Sequence, residues 1–415
     1  MKILSLECTN FKGIKNLKFE LNGKSAVFFG ENGVGKSSIL RGINLLYSNI
    51  INKIVKNRFK QGIIIGLSDI STNAQNCRIS MEFIFSNGSI VDYWRSMDRK
   101  SKMRTDTKHS LENINNYFEQ EYSDDSKSIP IFVNYGVNRL VLDIPLRIRT
   151  KHTFDREAAF ERAIENRIDF RTFFEWFMYQ EDFENQEKVR QNKNYEDRSL
   201  KAVRTAIRNM YEGFKNLRIE RNPLSMKIDK GKTTLSIEQL SDGEKCTLAL
   251  IGDLARRLSL ANPSGKNPLL GEGVVLIDEI ELHMHPAWQR KILSKLKKTF
   301  PNIQFIITTH SPQVLGETGD DFSLFSLTAA NGEIEYTKIA SLIGWNSNYI
   351  LEDYMGAASL NLQTKELISS MYKNYENRNY IIAKEKAEKL EQITNSLHED
   401  VVKINILLER VKDKE

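Results

Sequence analysis

Residues 25–47 constrain the fold more than any other part of this chain. Ser25-Ala26-Val27-Phe28-Phe29-Gly30 is continuously small or apolar, as a strand buried on both faces must be. Gly30-Glu31-Asn32-Gly33-Val34-Gly35-Lys36-Ser37 follows and fits G-x-x-x-x-G-K-S; Ile39, Leu40, Ile43, Leu46 and Tyr47 then recur at helical spacing. A strand, a glycine loop and a helix in that order predict a phosphate cradle. The glycines let backbone N–H groups approach an anion, and the helix offers its positive end. Gly30, Asn32, Gly33, Gly35, Lys36, Ser37 and Ser38 are the expected nucleotide-binding positions, with ATP as ligand. Lys36 is expected on the β- and γ-phosphates and Ser37 on Mg2+.

A second set of signals lies far downstream. Val274-Val275-Leu276-Ile277 is an apolar strand that ends in Asp278 and Glu279, carboxylates at a sheet edge where a magnesium nucleotide would sit. Asp278 is expected to hold the metal and Glu279 to orient and deprotonate an attacking water. Ile303 to Thr309 is another continuous apolar run and ends at His310. Leu240-Ser241-Asp242-Gly243-Glu244-Lys245 precedes a helix anchored by Leu248, Ile251, Leu254 and Leu258. Ser241 or Asp242 could simply cap that helix.

The 415 residues allow two or three packed regions, and 27% charged with 40% apolar residues is a globular balance. No apolar run approaches the roughly 20 residues that span a bilayer, and the start lacks a signal-peptide core, so a cytoplasmic location and no membrane partner are expected. Cys8, Cys77 and Cys246 are far apart and read as buried thiols. A net charge of +6 leaves a nucleic-acid partner open.

Four regions are expected: an N-terminal lobe over 1–144, a helical insertion over 145–225, a C-terminal lobe over 226–345 and a helical tail over 346–415 for docking or oligomerisation. In the first lobe Ser86-Asn87-Gly88 joins two alternating runs, a hairpin signal. From Pro145 to Asn222 the pattern is long, charged and helical, with Phe160, Phe170, Phe173, Phe174, Trp176 and Phe177 on a packing face. Beyond Trp345 the chain reads as helix to its end; Leu390, Leu397, Ile404 and Val411 stand seven apart. That seam fits an amphipathic helix packed on its own domain or an oligomer surface. Arg190, Lys193, Arg198, Lys201, Arg204, Arg208, Lys215, Arg218 and Arg221 form a basic stretch over 190–221 that reads either as a DNA or RNA contact or as a solvated, ion-paired face. The His283-Met284-His285 spacing is not that of two ligands one helical turn apart, so it reads as a loop rather than a metal site.

With Asn10-Phe11-Lys12-Gly13 and Asp278-Glu279-Ile280-Glu281-Leu282-His283-Met284-His285-Pro286, the chain resembles the RecF- and SMC-like branch of ABC ATPases. It is more similar still to the compact AAA-family ATPases of bacterial antiphage systems, such as the PtuA subunits of Septu and their retron-associated relatives. The resemblance implies an α/β fold: an ABC-type P-loop ATPase core, a mixed or parallel sheet with helices, carrying a helical insertion and a helical C-terminal tail. It also implies that Leu240–Lys245 is a signature motif, with Ser241 and Gly243 on the γ-phosphate held by another subunit. His310 then corresponds to the switch histidine, and the active unit to a homodimer paired through its nucleotide sites, with higher oligomers open. The sensor or scaffold role of such ATPases implies a separate HNH nuclease as partner. The tail shows no Asp-x-Asp and is too short for a TOPRIM domain, so nuclease activity of its own is not expected. Two positions depart from the pattern. The signature reads Ser-Asp-Gly-Glu rather than Ser-Gly-Gly-Gln, and Asn134-Tyr135-Gly136-Val137-Asn138-Arg139 stands where a Q-loop glutamine is expected. Three readings follow: an ATP-hydrolysing switch that gates a nuclease, an ATP-stabilised assembly with negligible turnover, and a repair ATPase acting directly on DNA.

Overall fold

The computed structural model describes residues 1–55, 62–122, 124, 127–138, 154–190, 192–330, 332–357 and 360–412. The boundary expected at 144/145 and Arg139 lie outside the described residues. Two units are distinct, Met1–Ile350 and Leu351–Glu415.

The first unit begins with β1 (Lys2–Phe11) and β2 (Ile14–Glu20), then β3 (Ser25–Gly30), which runs through the glycine loop into α1 (Lys36–Ile54). β4 (Asn76–Ile84), β5 (Ile90–Asp98) and β6 (Arg104–Asp106) follow; they join β1 and β2 in an antiparallel sheet of order β2-β1-β4-β5-β6. The expected hairpin is the β4–β5 pair, with Gly88 in the turn at φ 82°. After α2 (Lys108–Tyr122) and β7 (Ile131–Tyr135), α3 (Phe170–Arg190) and α4 (Arg198–Met210) lead to β8 (Phe214–Arg221), β9 (Leu224–Lys230) and β10 (Thr233–Ser236). α5 (Asp242–Ala261), β11 (Gly273–Ile277), α6 (Ile292–Thr299), β12 (Ile303–Thr309), β13 (Phe322–Ala330) and β14 (Glu333–Ile339) complete it.

The central sheet has the order β14-β13-β3-β12-β11-β7 and is parallel except for the antiparallel edge strand β14. β3, β7, β11 and β12 are buried at every position, which explains their unbroken apolar character. Two side chains of β7, an odd number of residues apart, show what covers each face. Phe132 stacks on Tyr47 of α1 at 3.8 Å, whereas Tyr135 donates its hydroxyl to Asp253 of α5 at 2.8 Å, so these helices lie on opposite faces. α1 also packs on the antiparallel sheet through Gly42, whose side Ile79, Cys8 and Phe11 line. Cys8, Cys77 and Cys246 are all buried.

α5 carries a buried charge cluster. Asp253 accepts from Arg256 at 2.8 Å and from Arg257 at 2.7 Å, and Arg257 donates onward to the carbonyl of Ala159 at 2.7 Å. Burial by itself would raise the Asp253 carboxyl, but Arg257 and Arg256 outweigh it and hold the group at about 2.

Two expectations are corrected here. The helical reading to Asn222 fails after Met210, where β8, β9 and β10 form a three-stranded antiparallel sheet. A register shift between Lys215 and Arg218 puts both Phe214 and Leu217 inside, a spacing of three that imitates a helix. The tail is not one helix: among the described residues beyond Asn361 it folds as α7 (Leu362–Glu376), α8 (Tyr380–Ile393) and α9 (Glu399–Lys412). Leu367, Met371, Ala387, Leu390, Val401 and Ile404 form their core. Leu397 lies in the turn between α8 and α9 and is 85% exposed, so the heptad seam is broken there. Among the described residues no helix is long and apolar enough to cross a membrane.

Candidate functional site

The strand order puts the C-terminal ends of β3, β12 and β11 side by side, and the chain's second-half motifs meet the glycine loop there. Gly30 has φ 137°, and a Cβ on it would stand 2.2 Å from the Leu327 carbonyl oxygen of β13, so the loop leaves the sheet where only glycine fits. Gly33 and Gly35 also hold left-handed backbones; Gly35 is the N-cap of α1. Glu31, Asn32 and Gly33 form the exposed crest of the loop.

Lys36 is buried at the start of α1, and its ammonium donates to the carbonyls of Gly30 at 2.9 Å and Glu31 at 2.6 Å. Burial lowers its pKa to about 8 despite the opposing pull of Asp278, Glu279 and Glu281. Next to it Ser37 donates to Asp278 at 3.3 Å. The hydroxyl of Thr308, on β12, also donates to Asp278 and accepts from the backbone N–H of Glu279 at 2.9 Å. Glu279 therefore sits one residue past a clamped turn, at φ 49°, a conformation that disfavours side chains by about 1–2 kcal/mol.

Glu281 has a part that sequence reading did not assign. Its carboxylate accepts from the Thr309 hydroxyl at 2.8 Å and from the His310 backbone N–H at 2.5 Å, tying the end of β11 to the end of β12. The signal was present as a third acid in Asp278-Glu279-Ile280-Glu281. His310 is half-buried; desolvation and then Lys36 lower its pKa, which keeps the imidazole neutral near pH 7. Thus Gly30, Asn32, Gly33, Gly35, Lys36, Ser37, Ser38, Asp278, Glu279 and His310 come together at one sheet edge.

Ser241 and Gly243 do not join them. Among the described residues neither bonds to the glycine loop; instead they line a separate cavity of about 540 Å³ with Tyr211, Met284, His285 and Trp288. Gly243 is required by close approach, since a Cβ there would lie 2.3 Å from the His283 carbonyl oxygen. Ser241 caps α5 by accepting from the Glu244 N–H at 3.4 Å, while the Glu244 carboxylate accepts from the Ser241 N–H at 3.1 Å and from Lys230 at 2.7 Å. Glutamine would serve that box equally; what glutamate adds at the fourth signature position is the ion pair with Lys230. His285 likewise caps a short helix, its ring nitrogen accepting from the Ala287 N–H at 3.2 Å.

The basic stretch is largely paired within the chain. Arg204 reaches Glu184 at 3.0 Å, Arg221 reaches Glu181 at 2.6 Å, Arg218 reaches Asp229 at 3.0 Å and Lys201 reaches Glu196 at 2.8 Å. Arg198 donates to the backbone of Asn262 at 3.1 Å.

Residues 25–316 match the family model described as "AAA domain, putative AbiEii toxin, Type IV TA system". The chain belongs to this AAA family. This AAA protein is 29% identical to "Retron Ec83 probable ATPase" of Escherichia coli, with 86% of the chain and 77% of the relative aligned. It is 25% identical to "Septu protein PtuA" of Bacillus thuringiensis over 85% of the chain and 84% of the relative. Among solved structures, the SMC head domain from Thermotoga maritima aligns with a TM-score of 0.45 at 16% identity, covering 82% of this chain and 99% of that one. These relatives place the chain among the AAA-family ATPases of retron and Septu systems.

Proposed function

We propose that the chain binds ATP between two copies of itself, hydrolyses it, and uses the cycle as a cytoplasmic sensor and scaffold that controls a partner nuclease of the HNH type in antiphage defence. One observation carries the reading: Lys36, Ser37, Asp278, Glu279 and His310 converge on one sheet edge, while Ser241 and Gly243 open onto a different cavity. Beyond its capping of α5, a signature that lies apart from its own phosphate loop supports a role against the nucleotide of a second copy.

The donor set fits magnesium, because the Ser37 hydroxyl and the Asp278 carboxylate are hard oxygen ligands already 3.3 Å apart. Bound Mg2+ would neutralise phosphate charge. Lys36 would give up the carbonyls of Gly30 and Glu31 for phosphate oxygens. Glu279 would take a proton from the attacking water, and neutral His310 would donate a hydrogen bond to the γ-phosphate, held in register by Glu281. Across the dimer, Ser241 and the N-terminus of α5 would complete the anion site. The internal pairing of Arg204, Arg218 and Arg221 supports a protein partner over direct DNA contact as the output.

The test combines Glu279→Gln with light scattering. The variant should bind ATP, hydrolyse it about 10²- to 10⁴-fold more slowly, and accumulate as a dimer that Ser241→Arg disperses. Unchanged turnover in Glu279→Gln, or monomers at saturating ATP, would reject the reading.

A further inference from the structure

The tail from Leu351 onward exposes more apolar surface than its size accounts for. Among the described residues, eight of the twenty large apolar side chains open to solvent belong to it, although it has 65 residues against 350 in the first unit. Its core, by contrast, is the six-residue cluster around Leu390 and Ile404. A bundle so small gains little from its own interior, and apolar surface concentrated on one part of a molecule marks a contact.

That surface includes two distinct patches. One is a groove of about 550 Å³ between the start of α8 and the end of α9. Ile381, Ile382, Leu408 and Val411 supply its apolar lining, Arg378 and Lys384 supply its charge, and its described lining contains no carboxylate. Arg378 has no ion pair among the described residues; Lys384 has an exposed pair with Glu388 at 3.7 Å, which holds it weakly.

The other patch is a stripe on α9. Glu399, Val402, Ile406 and Glu409 are all exposed, and their spacing of three, four and three puts them on one helix face. Val402 and Ile406 are 40% and 47% exposed, while Val401 and Ile404, turned the other way, are buried. The ion pair of Glu399 is with Lys403 of the same helix, and Glu409 has none among the described residues.

The patches are complementary. Both are apolar at the centre, but the groove carries cations and the stripe is bounded by carboxylates; the unpaired Arg378 belongs to one and the unpaired Glu409 to the other. At about 100° per residue, the stripe and the groove-lining Leu408 and Val411 point to opposite sides of α9. One copy therefore cannot turn both patches to a single neighbour about a two-fold axis.

We propose that the groove of one tail receives the α9 stripe of a second copy of this chain, with Glu409 of the incoming helix on Arg378. Such a contact is heterologous: it leaves a free groove on one end copy and a free stripe on the other, and it extends until the rotation closes a ring. It needs neither nucleotide nor the signature, so it stands apart from the ATP-bridged pairing proposed above.

The experiment follows the full chain without nucleotide by sedimentation velocity over a range of concentrations. Ile381→Asp spoils the groove and Ile406→Asp spoils the stripe. The parent should associate, and each variant alone should remain monomeric at the same concentrations. An equimolar mixture of the two variants should form a dimer and stop there, because the intact groove and the intact stripe lie on different copies; that complementation also shows both variants to be folded. Arg378→Glu should weaken association about tenfold, and combining it with Glu409→Arg should recover most of the loss. A monomeric parent, as expected if another protein fills the groove, overturns the proposal. So does a mixture that stays monomeric, or a single variant that associates like the parent. Association that appears only with ATP belongs to the proposed function and equally overturns the tail contact.

Discussion

Replacing Asp253 with Asn removes the only anion that the buried Arg256 and Arg257 share among the described residues, without changing volume. All three side chains are at most 1% exposed, so water cannot take over the lost charge. Breaking a buried ion pair from one side costs about 3–5 kcal/mol, because the remaining charges stay desolvated. Unfolding entropy of about 2.1 cal/mol/K per residue gives about 0.7 kcal/mol/K for the 350-residue first unit, so the midpoint should fall by about 4–7 °C. A second signature comes from protons. The Asp253 carboxyl is held at about 2 against 3.8 in the unfolded chain, so its contribution is fully present above about pH 4 and is lost as pH falls toward 2. That amounts to about 2 kcal/mol. Calorimetry of the parent and Asp253→Asn from pH 7 down to pH 2 measures both effects, and the variant should show the shallower acid limb. A midpoint within 1 °C of the parent, with an unchanged acid limb, would refute the idea that this cluster holds α5 against β7 and the insertion.

Three further outcomes are expected. The affinity for ATP should fall as pH rises past about 8, because deprotonating Lys36 removes the charge that phosphate needs; titrations at pH 7, 8 and 9 should show a drop approaching tenfold per unit above 8, and a flat profile would contradict the role given to Lys36. Gly30→Ala would force a Cβ to within 2.2 Å of the Leu327 carbonyl oxygen at an unfavourable φ, so loss of soluble folded protein or several degrees of midpoint should result; a variant as stable as the parent would show that β13 is not so close. Glu281→Ala should lower kcat about 10- to 100-fold while KM for ATP stays within threefold, since the His310 backbone loses its acceptor; equal kcat would remove Glu281 from the positioning of His310.

The parts of the site that sequence made legible are those that elementary constraints leave little choice about. Gly30, Gly33 and Gly35 mark a loop that must bend through left-handed backbone, and the uniform apolarity of Val274–Ile277 and Ile303–Thr309 marks strands covered on both faces. Glu281 and Thr308 were hidden because their partners are backbone N–H groups and a carboxylate on a neighbouring strand, which spacing along the chain cannot reveal. In the tail, Leu390 and Leu397 share a heptad spacing by coincidence, because Asn395 stops the helix by accepting from the Leu397 N–H at 2.9 Å. The β8–β10 sheet escaped because its bulge erased the alternation that identifies strands.

The border position of β7 bears on which parts of the molecule can be altered independently. The residues of the phosphate loop are anchored to strands further inside the sheet, whereas residues 163–167 hang from its margin, through main-chain bonds to Asn134 and Gly136 and one amide bond from the Asn134 side chain. A change in the segment suspended there can therefore leave the inner strands, and the glycine loop they carry, in place.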